Sequence, residues 1–188
     1  MKFLQEMNLP NKLTILRVVL IVPFVIFMLL SDMTDWSKWV ALVIFCAASA
    51  TDAVDGYIAR RDNLVTNFGK FMDPLADKLL VCSALVCLVS LRLLPTVVCI
   101  VIIAREFAIS GFRLIASDNG IVIAAGIWGK LKTISQMIMI IVLIMDLGGK
   151  LVFFDILGWI LILVSTALTI ISLVDYIWKN KEVLNMQD

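Results

Sequence analysis

Long apolar runs separated by short polar connectors occupy almost the whole chain. A helix that crosses a membrane needs about 20 mostly apolar residues, and six segments come near that length: 13–30, 36–58, 74–91, 94–116, 131–147 and 152–178. In the last of them, 19 consecutive residues (156–174) carry no charge. We therefore predict an all-α, polytopic membrane protein in which six transmembrane helices form one bundle, within a single domain that covers residues 1–188.

The first 12 residues precede the first apolar run, and we expect them to lie along the membrane interface as a short lead-in. Pro10 and Asn11 are expected to break the chain between this lead-in and the first span, because both residue types favour turns.

Charged residues lie at one end of most predicted spans. Uncharged stretches such as 18–30 and 39–51 are bordered by charged residues such as Arg17 and Asp52. Because consecutive spans alternate in direction, these charged ends fall on one side of the membrane. Short uncharged runs would also permit buried helices of a water-soluble protein, but the long uncharged run of the last span argues against that alternative.

The basic residues indicate the orientation of the spans. If the N-terminus is inside, only Lys38, Arg92 and Lys150 of the 16 lysines and arginines lie outside. This asymmetry predicts that both termini are cytoplasmic and that the charged ends face the cytoplasm, in the cell membrane. The expected interfacial anchors are the aromatic residues Trp36, Trp39, Tyr176 and Trp178.

Composition supports this class and limits the chemistry. Hydrophobic residues make up 62% of the chain, whereas soluble domains have about 45–50%. The net charge of +1 indicates no particular partner, and because no basic residues cluster on a soluble surface, we expect no nucleic-acid partner. The chain has no histidine, and its four cysteines lie inside apolar runs, where packing is their expected role. Catalysis therefore has to rest on carboxylates, hydroxyls, amines or a metal.

Four aspartates between the second and third spans carry the strongest chemical signal. Asp52 and Asp55 are three residues apart at the end of the second span, and Asp73 and Asp77 are four residues apart at the start of the third. Each pair shares one helix face, and the short cytoplasmic connection brings the two pairs to a similar depth.

Four carboxylates close together at a membrane boundary repel one another and are poorly solvated. Two divalent cations would balance their charge, and oxygen ligands suit Mg²⁺, Mn²⁺ or Ca²⁺. A pair of such cations is a common device for phosphoryl transfer. As an alternative for one member, Asp73 followed by Pro74 could be only a helix cap.

The spacing of these aspartates resembles the signature of the CDP-alcohol phosphotransferase family. Eight fixed positions over 26 residues match it: Asp52, Asp55, Gly56, Ala59, Arg60, Gly69, Asp73 and Asp77. The resemblance implies transfer of a substituted phosphoryl group from a CDP-linked donor to an alcohol, with release of CMP. It also implies that Asp52, Asp55 and Asp73 bind two divalent cations, Mg²⁺ or Mn²⁺. Asp77 then lies beside the metals, within the same metal-binding set, and acts as the base for the acceptor hydroxyl.

The residues between the aspartates fit a nucleotide-linked lipid donor. The small residues Gly56, Ala59 and Gly69 would let cytosine and ribose approach the helix backbones, although tight helix packing explains them equally well. Arg60 can form paired hydrogen bonds with phosphate oxygens, and Thr66 can donate a hydroxyl hydrogen bond. A cytoplasmic pocket between membrane helices suits CDP-diacylglycerol, whose acyl chains would remain in membrane lipid.

Further cations lie near the inner ends of later spans and suggest an acceptor that already carries phosphate. They are Arg105, Arg113, Lys130 and Lys132. Arg105 lies within an apolar span and needs a partner, and Glu106 could neutralise one of these cations. Anchoring at anionic headgroups is an equally good explanation for Lys130 and Lys132.

Three other stretches are similar to the family members that use sn-glycerol 3-phosphate as acceptor. They are residues 8–17, which include Asn11, Thr14 and Arg17, together with 105–113 and 129–133. This resemblance implies sn-glycerol 3-phosphate as substrate and a homodimer as the assembly. Inositol phosphate, serine and phosphatidylglycerol remain alternative acceptors. A divalent-cation transporter is a further alternative, although its carboxylates would be expected near the middle of the membrane or on both sides.

Overall fold

The computed structural model describes residues 9–61, 67–118, 123, 126–147 and 152–180, with only the backbone at 9–10, 52–61, 67–71, 73–74 and 117–118. These residues form six long helices and no strand. The helices are α1 (Leu9–Leu29), α2 (Ser37–Arg61), α3 (Asn67–Ser90), α4 (Thr96–Asp118), α5 (Ile127–Asp146) and α6 (Val152–Lys179). A single 3-10 turn, Leu30–Asp32, follows α1.

The six helices coincide with the six predicted segments, but three of them begin earlier. Helix α1 begins at Leu9, so the predicted break at Pro10 and Asn11 is wrong. Proline is tolerated in the first helical turn because its missing N–H has no intrahelical partner there. Residues 1–8 of the predicted lead-in lie outside the described part of the chain.

Helix α3 begins at Asn67, well before the predicted start at residue 74. Asp73 therefore lies inside the helix, which excludes the alternative that it only caps the helix at Pro74. Helix α5 begins at Ile127, so Lys130 and Lys132 belong to its first turns rather than to a preceding connection.

Close Cα packing divides the chain into two compact units, residues 1–91 and 92–188. In the first unit, α1 packs against both α2 and α3. The buried stripe of α1 includes Ile21, Phe24 and Met28, and the ring centroid of Phe24 is 5.7 Å from that of Phe45 on α2. A single domain over the whole chain stays a prediction.

In the second unit, α6 packs against both α5 and α4. Helices α5 and α6 are antiparallel. A Cβ at Gly126 would lie 3.7 Å from Asp175, one at Gly129 would lie 3.8 Å from Ser172, and one at Gly158 would lie 3.0 Å from Leu143. In all three contacts the residue number rises along one helix by as much as it falls along the other, so the two helices keep one register over their whole contact.

Helix α6 has a polar inner face and an apolar outer face. Its buried residues are Gly158, Ile162, Ser165, Thr169, Ser172 and Tyr176, whereas exposed ones include Phe153, Trp159 and Leu163. A water-soluble helix would show the opposite distribution. Small and hydroxyl-bearing residues on the inner face are typical of helix contacts in membranes, so the outer face is suited to lipid.

Among the described residues, three stretches are long and apolar enough to cross a membrane: Asn11–Asp32, Ile127–Asp146 and Val152–Lys179. Helix α2 contributes a shorter apolar stretch, Ser37–Thr51. The prediction of an all-α membrane protein is therefore confirmed, and the crossing of the membrane by all six helices stays a prediction.

The four aromatic residues predicted as interfacial anchors differ in their exposure. Trp36, Trp39 and Trp178 are exposed, as interfacial anchors require. Tyr176 is buried and packs edge-on against Phe112, so its expected role as an interfacial anchor is wrong. None of the four cysteines, which all lie in described helices, forms a disulfide bond.

Candidate active site

The aspartate motif spans the end of α2 and the beginning of α3. Asp52 and Asp55 belong to the last turns of α2, and Asp73 and Asp77 belong to the first turns of α3. The side chain of Asp77 is half-buried and takes part in a polar interaction. For Asp52, Asp55 and Asp73 only the helical backbone is described.

The backbone of these helices is compatible with a metal site. In a regular helix, positions three and four residues apart lie on one face and differ in height by about 4.5 and 6 Å. Carboxylate oxygens are the ligands that Mg²⁺ and Mn²⁺ prefer. Within the described side chains no group of three or more His, Cys, Asp or Glu residues could hold a metal, and three of the four aspartates fall outside that set.

The residues predicted to bind the donor flank the same connection. Gly56, Ala59 and Arg60 lie on α2, and Gly69 lies on α3. Thr66 lies outside the described residues. The structure therefore places the first four on helices that follow one another in the chain, and it describes their backbone alone.

A polar stripe on α1 lies buried in the same unit. Asn11, Thr14 and Arg17 recur at three-residue intervals and have exposed fractions of 7%, 0% and 0%. They lie on the same face of α1 as the buried apolar residues that begin at Ile21. Each of the three takes part in a polar interaction. Burial of an arginine in an apolar helix costs free energy, and such residues commonly mark functional sites, so these three residues remain candidates for the site.

The second unit contains a buried cluster of charges, which we call the cation cluster: Arg105, Glu106, Lys132 and Ser172. The Arg105 Nη1 donates to Glu106 Oε1 at 3.0 Å, and the Lys132 Nζ donates to the same oxygen. The Arg105 Nη2 donates to Ser172 Oγ at 2.5 Å. Helices α4, α5 and α6 are thus joined by one polar network.

The cation cluster has an excess of positive charge and of donors. Counted over these four residues alone, two cations and one carboxylate give a net charge of +1, and Arg105 is 8% and Lys132 2% exposed. Lys132 also takes part in a further polar interaction. Arginine has five N–H donors, of which those on Nη1 and Nη2 make the two hydrogen bonds described, and the buried Nε has no partner among the described residues. Buried donors normally have partners, so this arrangement can accept an anion.

The other two predicted acceptor-binding cations are not part of this cluster. Arg113 is exposed, and its guanidinium carbon lies 5.8 Å from the centre of the Tyr176 ring. Lys130 is exposed in the first turn of α5. The structure thus brings together two of the four predicted cations, and it shows that Glu106 contacts both of those two.

Sequence reasoning missed Ser172 and Tyr176 as neighbours of the basic residues. The signal was present in the periodicity of the last span. Ser165, Thr169, Ser172 and Tyr176 recur at intervals of three or four residues within an otherwise apolar segment. This spacing defines one helix face, and hydroxyl groups on one face of a membrane helix indicate contact with other helices.

The chain thus combines apolar membrane helices with an aspartate motif in one unit and a buried cation cluster in the other. A family model described as CDP-alcohol phosphatidyltransferase matches residues 7–171. The chain therefore belongs to the CDP-alcohol phosphatidyltransferase family, and it is an enzyme of that class, a transferase of phospholipid biosynthesis. The resemblance inferred from the aspartate motif is confirmed.

Several relatives of this chain share one name. The chain is 44% identical to the CDP-diacylglycerol--glycerol-3-phosphate 3-phosphatidyltransferase of Bacillus subtilis (strain 168), over 94% of this chain and 97% of that protein. It is 38% identical to the protein of that name from Rickettsia prowazekii (strain Madrid E), over 89% and 92%. A probable phosphatidylglycerophosphate synthase of Mycobacterium tuberculosis (strain ATCC 25618 / H37Rv) is 36% identical, over 90% and 80%. Members of the family generally depend on divalent cations.

Proposed function

We propose that the protein transfers the phosphatidyl group of CDP-diacylglycerol to sn-glycerol 3-phosphate, which gives phosphatidylglycerophosphate and CMP. The names of relatives that match nearly the whole chain support both substrates. The single structural observation that carries the choice of acceptor is the buried cation cluster with its net positive charge.

A phosphorylated acceptor suits this cluster better than a neutral one. A phosphate monoester brings negative charge and several acceptor oxygens, which would satisfy the remaining donors of Arg105 and balance the charge of the cluster. Serine is a zwitterion whose ammonium group cancels its carboxylate, so it would bring no net negative charge to balance the cluster. The exposed Lys130 and Arg113 are proposed to attract the phosphate over longer distances.

The donor is proposed to bind in the first unit. Arg60 and Thr66 would bind its phosphates, and Gly56, Ala59 and Gly69 would lie against its nucleoside. Two divalent cations, Mg²⁺ or Mn²⁺, held by Asp52, Asp55, Asp73 and Asp77, would neutralise the charge that develops on the departing CMP. The buried Asn11, Thr14 and Arg17 on α1 are proposed to support this part of the site.

In the reaction, the acceptor hydroxyl oxygen forms a bond to the phosphorus of the phosphatidyl group, and the bond from that phosphorus to CMP breaks. CMP leaves with the electron pair, and the hydroxyl proton moves to Asp77. An alcohol is a weak nucleophile, so a carboxylate in hydrogen-bond reach is needed. The partial exposure of Asp77 supports this role, because a base must be accessible to the substrate.

We further propose that the site opens to the cytoplasm, that both termini lie there, and that two copies of the chain form a homodimer. The bias of lysine and arginine supports the orientation. The many large apolar residues that are exposed in the single chain, such as Leu163 and Val164 on α6, support a second copy and membrane lipid as the neighbours of these helices.

The test is CMP release by purified, detergent-solubilised protein supplied with CDP-diacylglycerol and, separately, with sn-glycerol 3-phosphate, inositol phosphate, serine or phosphatidylglycerol. Turnover is expected with sn-glycerol 3-phosphate, and it is expected to stop in EDTA and return with Mg²⁺ or Mn²⁺. Turnover with inositol phosphate alone would reassign the acceptor. Metal flux into sealed vesicles without any CMP release would contradict the proposed reaction and favour a divalent-cation transporter.

A further inference from the structure

Glu106 holds two cations through a single oxygen atom. Both Arg105 Nη1 and Lys132 Nζ donate to its Oε1. Two nitrogens that share one acceptor oxygen are at most about 6 Å apart. At that spacing both can reach oxygens of one phosphate group. Without Glu106 the two like charges would repel each other and separate.

Ser172 fixes the orientation of the Arg105 guanidinium. A planar guanidinium held at Nη1 alone can still rotate about that hydrogen bond. The second bond, from Nη2 to the Ser172 Oγ on α6, removes this freedom. The two bonds therefore leave the Nε edge of the guanidinium in one defined direction, and the Nε is buried without a partner among the described residues.

We propose that Glu106 and Ser172 are positioning residues, which set the spacing and orientation of Arg105 and Lys132 so that these two cations bind the phosphate of the acceptor. This inference rests on the proposed function, because it concerns the same acceptor site. Neither residue touches the acceptor; each acts through the cations. The pair makes the enzyme selective for phosphorylated acceptors, since only these gain from two cations at a fixed distance.

The first experiment compares Ser172→Ala with Ser165→Ala. Both serines are buried on the inner face of α6, but the Ser165 Oγ has no hydrogen-bond partner among the described residues. Loss of one hydrogen bond predicts that Ser172→Ala raises the KM for sn-glycerol 3-phosphate about 3- to 10-fold, with the KM for CDP-diacylglycerol unchanged. Ser165→Ala is expected to leave both constants unchanged, and Ser172→Thr to restore the wild-type KM.

A double-variant cycle separates positioning from a merely structural role. Lysine at position 105 keeps the charge but has one nitrogen in place of three. Ser172→Ala should therefore have no additional effect in an Arg105→Lys background, whereas independent effects would multiply. An effect of Ser172→Ala that is the same in both backgrounds would overturn the proposed role of Ser172.

Glu106 is tested with two variants. Glu106→Ala removes the shared oxygen, and it is expected to raise the acceptor KM about 10-fold or more. Glu106→Gln keeps an acceptor oxygen in that place but not the negative charge, so it should recover part of the affinity. Equal losses in the two variants, or equal increases in the donor and acceptor KM, would contradict the positioning role.

Failure of this inference can be told apart from failure of the proposed function. If Arg105→Ala and Lys132→Ala leave the acceptor KM unchanged, the cation cluster does not bind the acceptor and the proposed acceptor site is wrong. If those two variants raise the acceptor KM but Ser172→Ala and Glu106→Ala do not, the acceptor site stands and the positioning role is wrong. Gel-filtration profiles and the donor KM identify any variant that has failed to fold.

Discussion

The two units of the chain differ in the charged residues that they carry. In the first unit, four aspartates lie at the end of one helix and the start of the next, with a polar stripe on α1. In the second, two cations share a single carboxylate oxygen. Aspartates suit metal cations and basic residues suit phosphate, which is why we propose different parts of the reaction for the two stretches of the chain.

Burial distinguishes basic residues that have the same charge but different surroundings. Lys130 and Lys132 are lysines only two residues apart, yet Lys130 is exposed and Lys132 is 2% exposed. The same contrast exists on α1 between the exposed Lys12 and the fully buried Arg17. A buried cation keeps a fixed position and a weakly screened charge, so we expect the buried member of each pair to have the larger effect.

The largest effect is expected at the proposed base in the first unit. Asp77→Asn keeps the size of the side chain but cannot take a proton, so kcat should fall about 10²- to 10⁴-fold. The measurement is the rate of CMP release at saturating concentrations of both substrates. Asp155→Asn, at an exposed site in the first turn of α6, is the control and should retain the wild-type rate. If kcat falls only slightly in Asp77→Asn, another residue must act as the base.

The next effect is expected at the buried lysine of the second unit. Lys132→Ala removes a charged hydrogen-bond donor, which typically contributes about 1.5–3 kcal/mol, so the acceptor KM should rise about 10- to 100-fold. Lys130→Ala should change that constant by about 2-fold or less, because exposed charges are screened by solvent. Initial rates at varied acceptor concentration measure both. An equal rise in the two variants would remove the distinction between buried and exposed cations.

A smaller effect is expected on α1. Arg17→Lys keeps the charge but loses the paired donors of the guanidinium, and it should raise the KM for CDP-diacylglycerol about 5-fold, because paired hydrogen bonds to phosphate or carboxylate depend on that geometry. The acceptor KM should not change. Lys12→Arg, on the exposed side of the same helix, is the matched control. A rise in the acceptor KM alone would contradict the proposal that the first unit binds the donor and the second unit binds the acceptor.

The last prediction concerns the stability of the second unit, where we expect little effect on activity. Gly158→Leu should destabilise the contact between α5 and α6 by about 1–3 kcal/mol, because overpacking forces neighbouring side chains to move. A Cβ at this position would already lie 3.0 Å from Leu143, whereas at Gly111 it would have no heavy atom within 4 Å among the described residues. Thermal unfolding in one detergent should show a lower Tm for Gly158→Leu than for Gly111→Leu.

The helices could be predicted from the sequence because apolar runs of this length have few alternatives. The errors concerned the first residues of three helices, where polar residues extend the helix beyond its apolar run. Residues 67–73 continue α3 towards its N-terminus, although Lys70 and Asp73 interrupt the apolar pattern. Helical hydrogen bonds are made by the backbone, so a helix can extend beyond its apolar stretch, and the hydropathy of the side chains does not mark where it begins.

The candidate site was predictable in its residue types but not in its contacts. The spacing of the aspartates indicated the family, which the comparisons confirm. The sequence could not show that Glu106 contacts Arg105 and Lys132 together, or that Ser172 lies beside Arg105, which is 67 residues away in the chain. Such contacts depend on the rotation of each helix about its axis, and a single sequence does not fix that rotation.

The single register between α5 and α6 has a consequence for how the chain is assembled in the membrane. A slip of α6 by one turn, about 5.4 Å, would bring Thr169 or Tyr176 to the position that Ser172 occupies beside Gly129. Both side chains are larger than serine, so the two helices could not keep the same close approach there. The small size of Ser172 therefore favours one depth for the last hairpin during insertion, in addition to the part that its hydroxyl plays in orienting a cation.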